Sequence, residues 1–324
     1  MNIDNLISVA TVINNNAEII ESYIKDTIEV LKSSYANYEL VLIDNGSTDA
    51  SVSRVKEILK EIKNIRLIIL SKQYDDEVTY LAALNNCIGD FIVLMDVNYD
   101  PPSLIPQLID KSISGYDVVI AEKSDERDKT FIDKLFSWAF FKASKFLTGY
   151  NVNPRFSKFI VLSRRAVNSI VRIKDRSRYI KYLLLEIGFS HATIPYIRIN
   201  RSGHQRKEDY FKAFAFAIEV IVSNSEKLIR IASFIGLLAS MMNLFVILYV
   251  LTGFVFFQKY IPQGWISTQL VNATMFFLLF LILAIIGEYV ARILRETKKG
   301  DIYFLADEAN SSVFPENIDR KNVI

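Results

Sequence analysis

The sequence predicts an α/β fold, a mostly parallel sheet with helices on both faces, followed by a two-helix transmembrane hairpin. Three observations predict it. Short apolar runs alternate with helix-spaced patterns through the N-terminal part. Two of those runs close in acidic turns. Two long charge-free stretches stand near the C-terminus.

Residues 6–12 (LISVATV) form an apolar run suited to a buried parallel strand. Asn14, Asn15 and Asn16 follow as turn and cap material. Residues 17–31 place Ile19, Ile20, Tyr23, Ile24, Ile28 and Leu31 at helical spacing. Residues 40–43 predict a second strand ending at Asp44, with a helix beginning near Ala50. Residues 65–70 predict a third strand, 77–87 a helix closed by Gly89, 91–95 a fourth strand ending at Asp96, and 118–121 a fifth. Strands alternating with helices imply a parallel sheet, and ligands of such sheets bind at the carboxyl ends of the strands. Both acidic turns stand at such ends.

Residues 231–257 carry no charged side chain, and the stretch from 260 to 287 carries none either. About 20 apolar residues cross a bilayer as a helix. The connector, 258–264, holds one lysine, whereas Lys227 and Arg230 precede the pair and Arg292, Arg295, Lys298 and Lys299 follow it. The positive-inside rule then places both flanks, and both termini, on the cytoplasmic side of the inner membrane. The expected organisation is a catalytic domain over 1–200, a juxtamembrane amphipathic region over 201–230, two spans within 231–290 and a cytoplasmic tail over 291–324. Residues 131–147 and 210–221 mix aromatic and basic side chains, as interfacial helices do.

Composition narrows the function. The formal net charge of +2 argues against a nucleic-acid partner. A single cysteine, Cys87, allows no internal disulfide, and two histidines, His191 and His204, make a Cys/His metal cluster improbable. Residues 1–5 do not read as the basic start of a leader, so the N-terminal domain is expected to stay on the cytoplasmic side.

Two turns carry the chemistry. In Asp44-Asn45-Gly46-Ser47-Thr48-Asp49, Gly46 permits close backbone approach, Ser47, Thr48 or Asp49 can cap the following helix, and Asp44 can accept a hydrogen bond from a base N–H. In Asp96-Val97-Asn98-Tyr99-Asp100, oxygen ligands one residue apart can hold a divalent cation, which neutralises a diphosphate leaving group. Asn98 brings no charge, so weaker Mg2+ or Mn2+ binding is expected, with Asp100 as a further ligand.

These segments resemble family 2 glycosyltransferases of the GT-A fold. Residues 41–49 are similar to the family's V-D-D-G-S-T-D segment, and 94–98 to its D-x-D strand end. Pro101-Pro102-Ser103-Leu104-Ile105-Pro106, Gly115-Tyr116-Asp117-Val118-Val119, Leu162-Ser163-Arg164-Arg165-Ala166-Val167, Ile187-Gly188-Phe189 and Ile286-Gly287-Glu288-Tyr289-Val290-Ala291-Arg292-Ile293 resemble the polyprenyl-phosphate sugar synthases within it. The resemblance implies inverting transfer of a sugar from a UDP- or GDP-linked donor to a polyprenyl phosphate at the membrane. It implies Asp96 as a catalytic residue, and Lys158, standing where the pattern has an acid, is the second catalytic candidate. Donor-nucleotide contacts would come from Val12, Asn14, Asn16, Asp44, Gly46, Ser47 and Lys72. Metal ligands would be Asp96, Asn98 and Asp100, and acceptor-phosphate contacts Arg164, Arg201 and Arg206. Four positions depart from the family pattern: Val12-Ile13-Asn14-Asn15-Asn16 stands for P-x-Y-N-E, Asn98 for the second acid, Ser157-Lys158-Phe159 for G-D-F, and Ser202-Gly203-His204-Gln205-Arg206 for A-G-x-S-K. Lys158 is expected to clamp a phosphate as a point charge. The alternative is a catalytically impaired relative acting as a scaffold in glycan assembly. A processive synthase would need more spans and a Q-x-x-R-W motif, and a flippase would leave the α/β domain unexplained. Two isolated spans also allow a homo-oligomer.

Overall fold

A computed structural model describes residues 5–124, 153, 155–172, 180, 183–184, 188–203 and 303–311, with single positions elsewhere between 142 and 293. The chain divides into two units. The first comprises residues 1–142, 150–213 and 300–324, the second 143–149 and 214–299.

The first unit is one eight-stranded sheet with helices on both faces. In chain order the strands are β1 (Ile7–Ile13), β2 (Tyr38–Asp44), β3 (Ile65–Leu70), β4 (Phe91–Asp96), β5 (Val118–Lys123), β6 (Phe156–Ser163), β7 (His191–Tyr196) and β8 (Leu305–Asn310). The helices are α1 (Ile20–Ser34), α2 (Ser51–Ile58), α3 (Asp76–Asn86), α4 (Ile105–Ile113) and α5 (Arg164–Arg172). The sheet runs β7-β5-β6-β4-β1-β2-β3-β8. Its centre, β4-β1-β2-β3, is parallel throughout. β6 is antiparallel to both its neighbours, β5 and β7 pair in parallel, and β8 is antiparallel to β3.

The central strands are apolar along their length because both faces are covered. On one side α1 buries Ile20, Tyr23, Ile24, Thr27, Ile28 and Leu31. Val55 and Ile58 of α2 and Ile105, Leu108 and Ile109 of α4 share that core with Val9, Leu40, Leu42 and Leu67. On the other side Tyr80, Leu81 and Leu84 of α3 and Ala166, Val167 and Ile170 of α5 pack on Ala10, Val41, Ile43 and Leu94. Burial at roughly 1.5–3 kcal/mol per large side chain makes these two layers the main source of stability. Gly89 lets the chain pass over β1 into β4, since a Cβ there would lie 2.6 Å from Ser8 N.

The five expected strands and three expected helices are present, with ends moved by a few residues. β6, β7, β8, α4 and α5 are additional. Residues 305–310, expected to belong to a tail, are the edge strand β8. It is held by Lys56–Asp307 at 2.9 Å and by the buried Arg66, which reaches Glu308 at 2.8 Å and Glu39 at 3.5 Å.

In the second unit the described positions between 268 and 293 are helical, and Phe276, Leu279, Leu283, Ile286, Val290 and Ile293 are exposed along it. Among the described residues no helix is long and apolar enough to cross a membrane. The two charge-free stretches, and residues 131–147 and 210–221, lie outside the described residues except for single positions.

Candidate active site

The carboxyl ends of the parallel strands bring the two acidic turns together. Asp44 pairs in register with Ile13, and Asp96 with Val12, so the acids stand on either side of β1. Two strand spacings separate them, roughly 10 Å.

The first and second loops are zipped together by side chains. Asn14 Nδ2 donates to Asn45 O at 2.6 Å, and Asn14 N–H donates to Asn16 Oδ1 at 2.8 Å. Asn15, at φ +54, accepts the Thr48 N–H on its Oδ1 at 2.8 Å, and its own N–H donates to Ser47 Oγ at 3.0 Å. Asn16 N–H donates to Ser51 Oγ at 2.8 Å, and Ala17 N–H to Asp49 Oδ2 at 3.0 Å. Burial works against the Asp49 carboxylate, but hydrogen bonds from Ser51 and Ala17 outweigh it and hold its pKa low. Asp44 is buried and accepts the Ser47 N–H at 3.3–3.4 Å, so it shapes the turn from beneath. Gly46 takes φ +73, with Gln73 N 3.1 Å from where a Cβ would stand. Lys72 lies 5.2 Å from the Tyr74 ring centroid, on the third loop of the same rim.

Asp96 Oδ1 accepts from Asn98 N–H at 2.8 Å and from Asn98 Nδ2 at 3.3 Å. Asn16 Nδ2 donates to Asn98 Oδ1 at 3.4 Å, which joins the first loop to the D-x-N turn. The segment after β7 closes over that turn. Ile199 N–H donates to Tyr99 O at 2.9 Å and Arg201 N–H to Asn98 O at 3.0 Å. Arg198 lies over the Tyr99 ring, and Arg201 pairs with Asp26 at 2.7 Å while its buried Nε has no hydrogen-bond partner among the described residues.

Three of the expected site residues are corrected. Asp100 is buried. Its Oδ2 accepts Asp96 N–H at 2.8 Å and its Oδ1 accepts the Tyr196 hydroxyl at 2.6 Å, so it locks the turn from inside and is not turned out as a ligand. Burial lifts its pKa to about 7. Arg164 lies at the opposite rim. Because β6 runs antiparallel to β4, Ser163 pairs with Phe91 at the start of β4, and the Arg164 guanidinium bonds Cys87 O and Gly89 O there. Lys158 does lie toward the site rim, on β6 two residues beyond Ile160, which makes the last pair with β4 at Leu94. Its ammonium, however, is held by Asp76 at 3.2 Å and Glu77 at 3.4 Å, and sits 4.5 Å from the Tyr80 ring centroid. Two carboxylates already neutralise it, so it anchors the first turn of α3 and offers no free charge to a phosphate. Arg206 lies outside the described residues.

Tyr74 and Tyr196 carry no mark of a site role in the sequence, and Asn15 and Asn45 read there only as turn residues. The run of three asparagines before a predicted helix was the one available signal, because asparagine tolerates positive φ and bonds neighbouring backbone.

The donor set suits a hard cation. It is all oxygen and carries one charge, with Asp96 Oδ2 taking no partner among the described residues. It fits Mg2+ or Mn2+ that draws its remaining ligands from a diphosphate and water. Among the described residues there is no group of three or more His, Cys, Asp or Glu side chains that could hold an ion alone.

The strand-end rim pairs an asparagine-braced Gly-Ser turn with a D-x-N turn, and the comparisons place a rim of this kind in a family of sugar-transferring enzymes. The family model described as "Glycosyl transferase family 2" matches residues 8–171, and the chain belongs to that family. It is 27% identical to the uncharacterized glycosyltransferase YkcC of Bacillus subtilis over 92% of each chain. It is 24% identical to the uncharacterized glycosyltransferase sll0501 of Synechocystis, over 93% of this chain and 95% of the relative. It is 26% identical to the prophage bactoprenol glucosyl transferase homolog of Escherichia coli, over 92% of this chain and 98% of the relative. The protein is a glycosyltransferase.

Proposed function

We propose that this glycosyltransferase is membrane-anchored and moves a sugar from a UDP- or GDP-linked donor to a polyprenyl phosphate, with inversion by direct displacement. The observation that carries the proposal is the convergence of the Asp44 turn, Asn16 and the Asp96–Asn98 turn on one rim, under a segment that brings Arg198 and Arg201. Relatives named bactoprenol glucosyl transferase, aligned over nearly their whole length, support the acceptor class. The exposed apolar row from Phe276 to Ile293, in a charge-poor stretch, supports a lipid-facing helix in the inner membrane.

A phosphate acceptor changes what the protein must provide. Its second pKa is about 6, so near neutrality it is already largely ionised and needs little help from a general base. An acceptor oxygen forms the new bond to the anomeric carbon as the bond to the donor diphosphate breaks, and the nucleoside diphosphate leaves with the electron pair. A divalent ion, when bound by Asp96 and the Asn98 amide oxygen, supplies positive charge to that leaving group. The protein's share is placement. The two zipped loops hold the donor, and Arg198 and Arg201 bring positive charge beside the Asp96–Asn98 turn.

The test is transfer of radiolabelled sugar from a panel of UDP- and GDP-sugars to undecaprenyl phosphate. Organic-extractable label is expected for one donor, with Asp96→Ala lowering the rate on the order of 10²–10³-fold. Absence of both transfer and donor binding would leave the scaffold reading in its place.

A further inference from the structure

The strand that returns to the sheet after the second unit does more than cover an edge. β8 runs antiparallel to β3 with Leu305 opposite Leu70, so its first residues arrive at the rim that carries the site. There the chain touches the third loop. Ser71 N–H donates to Phe304 O at 3.0 Å, Phe304 N–H donates to the Tyr74 hydroxyl oxygen at 3.1 Å, and that hydroxyl lies 3.2 Å from Ser71 Oγ. The main chain of Tyr74 is in turn clamped by one side chain. Tyr74 N–H donates to Asn45 Oδ1 at 2.8 Å, and Asn45 Nδ2 donates to Tyr74 O at 2.9 Å. Asn45 is buried, and it is the second residue of the turn from Asp44 to Ser47. Gly46, the next residue, holds φ +73 against the backbone of Gln73. A turn in that conformation keeps its shape only if its neighbours over-determine it.

We propose that residues 303–305 are a positioning element for the donor-nucleotide turn, acting through the Tyr74 hydroxyl and the Asn45 amide. The inference rests on the nucleotide-sugar function proposed above and deepens it, because donor affinity then depends on the docking of a strand that follows residues 214–299 in the chain. Undocking β8 frees Tyr74, the Asn45 clamp loses its fixed partner, and the turn must be ordered again each time a nucleotide binds. The cost falls on donor binding, since Asp96 and the acceptor-side arginines are not in this chain of contacts.

Two variants of the purified full-length chain test it. Tyr74→Phe keeps the ring and deletes the hydroxyl. Asp307→Pro breaks the β3–β8 ladder opposite Ile69. Calorimetry with UDP or GDP in the presence of Mn2+ should show about 5- to 10-fold weaker binding in both, an energy of roughly 1–1.4 kcal/mol. In transfer assays the loss should appear as a raised donor KM, with kcat and acceptor KM nearly unmoved. Tyr74→Phe with wild-type nucleotide affinity overturns the proposal, whether or not Asp307→Pro folds. So does a lowered melting temperature in Asp307→Pro with unchanged nucleotide affinity, which would make β8 an edge cover alone. Wild-type protein that binds neither UDP nor GDP defeats the nucleotide-sugar reading, and this inference with it.

Discussion

At the scale of single residues, substitutions away from the family pattern are answered by partners that spacing alone does not reveal. Lys158 stands where the pattern has an acid, and Asp76 and Glu77 meet it from α3. Lys158→Ala should therefore leave the acceptor KM within about threefold while removing an ion pair worth roughly 1 kcal/mol at its partial exposure. That is a fall of about 2–4 °C in melting temperature for a domain of this size. A large rise in acceptor KM with unchanged melting would return Lys158 to the role of phosphate clamp. Asn98 is the second case. Restoring a carboxylate with Asn98→Asp should tighten Mn2+ binding on the order of tenfold, read by calorimetry, because ligand charge sets affinity at such sites. The candidate site was legible in the sequence where strand ends announce it, at Asp44, Gly46 and Asp96. It was not legible at Arg164 or Asp100. The first depends on the direction of β6, the second on which way a carboxylate turns, and neither leaves a mark in local composition.

At the scale of elements, legibility follows burial. β1 to β5 are covered on both faces or nearly so, and read as apolar runs. β7 (HATIPY) and β8 (LADEAN) are edge strands; β7 alternates exposed His191, Thr193 and Pro195 with inward Ala192, Ile194 and Tyr196, too short and too mixed to stand out in the sequence, whereas β8 is largely exposed and carries no apolar run. The far end of the sheet is held by charge. Asp117, just before β5, accepts from Ser163 Oγ at 2.7 Å, from Arg165 Nη2 at 2.6 Å and from Ser190 Oγ at 3.2 Å, joining β6, α5 and the entry to β7. Its burial would raise the pKa, but these hydrogen bonds and the Arg165 charge more than compensate, and the carboxyl titrates below its ordinary 3.8. A depressed folded-state pKa means the stabilisation is present above the ordinary value and is lost as pH falls through it and below. Asp117→Asn should cost roughly 1.5–3 kcal/mol at pH 7. Measured by urea unfolding, the gap to wild type should close between pH 4 and pH 2. A gap that stays constant across that range would remove Asp117 as the source.

At the scale of the whole molecule, two pairings flank the longer of the chain's two excursions from its first unit, residues 214–299. Residues 199 and 201 bond the Asp96 turn on the way out, and Phe304 bonds Ser71 on the return. Both points belong to the sheet that begins with β1. A thread sewn to the same button at both ends passes through any cloth an even number of times or not at all. Whatever residues 204–302 do in a bilayer, an odd count of crossings would tear β8 from β3, together with the Arg66–Glu308 pair that fastens it. Reporter tags fused before residue 1 and after residue 324 should accordingly answer to an impermeant reagent from the same side. Opposite answers would mean that the eighth strand does not form in the protein at the proposed membrane. The odd-and-even rule thus makes one short, exposed strand the arbiter of topology for the hundred residues before it.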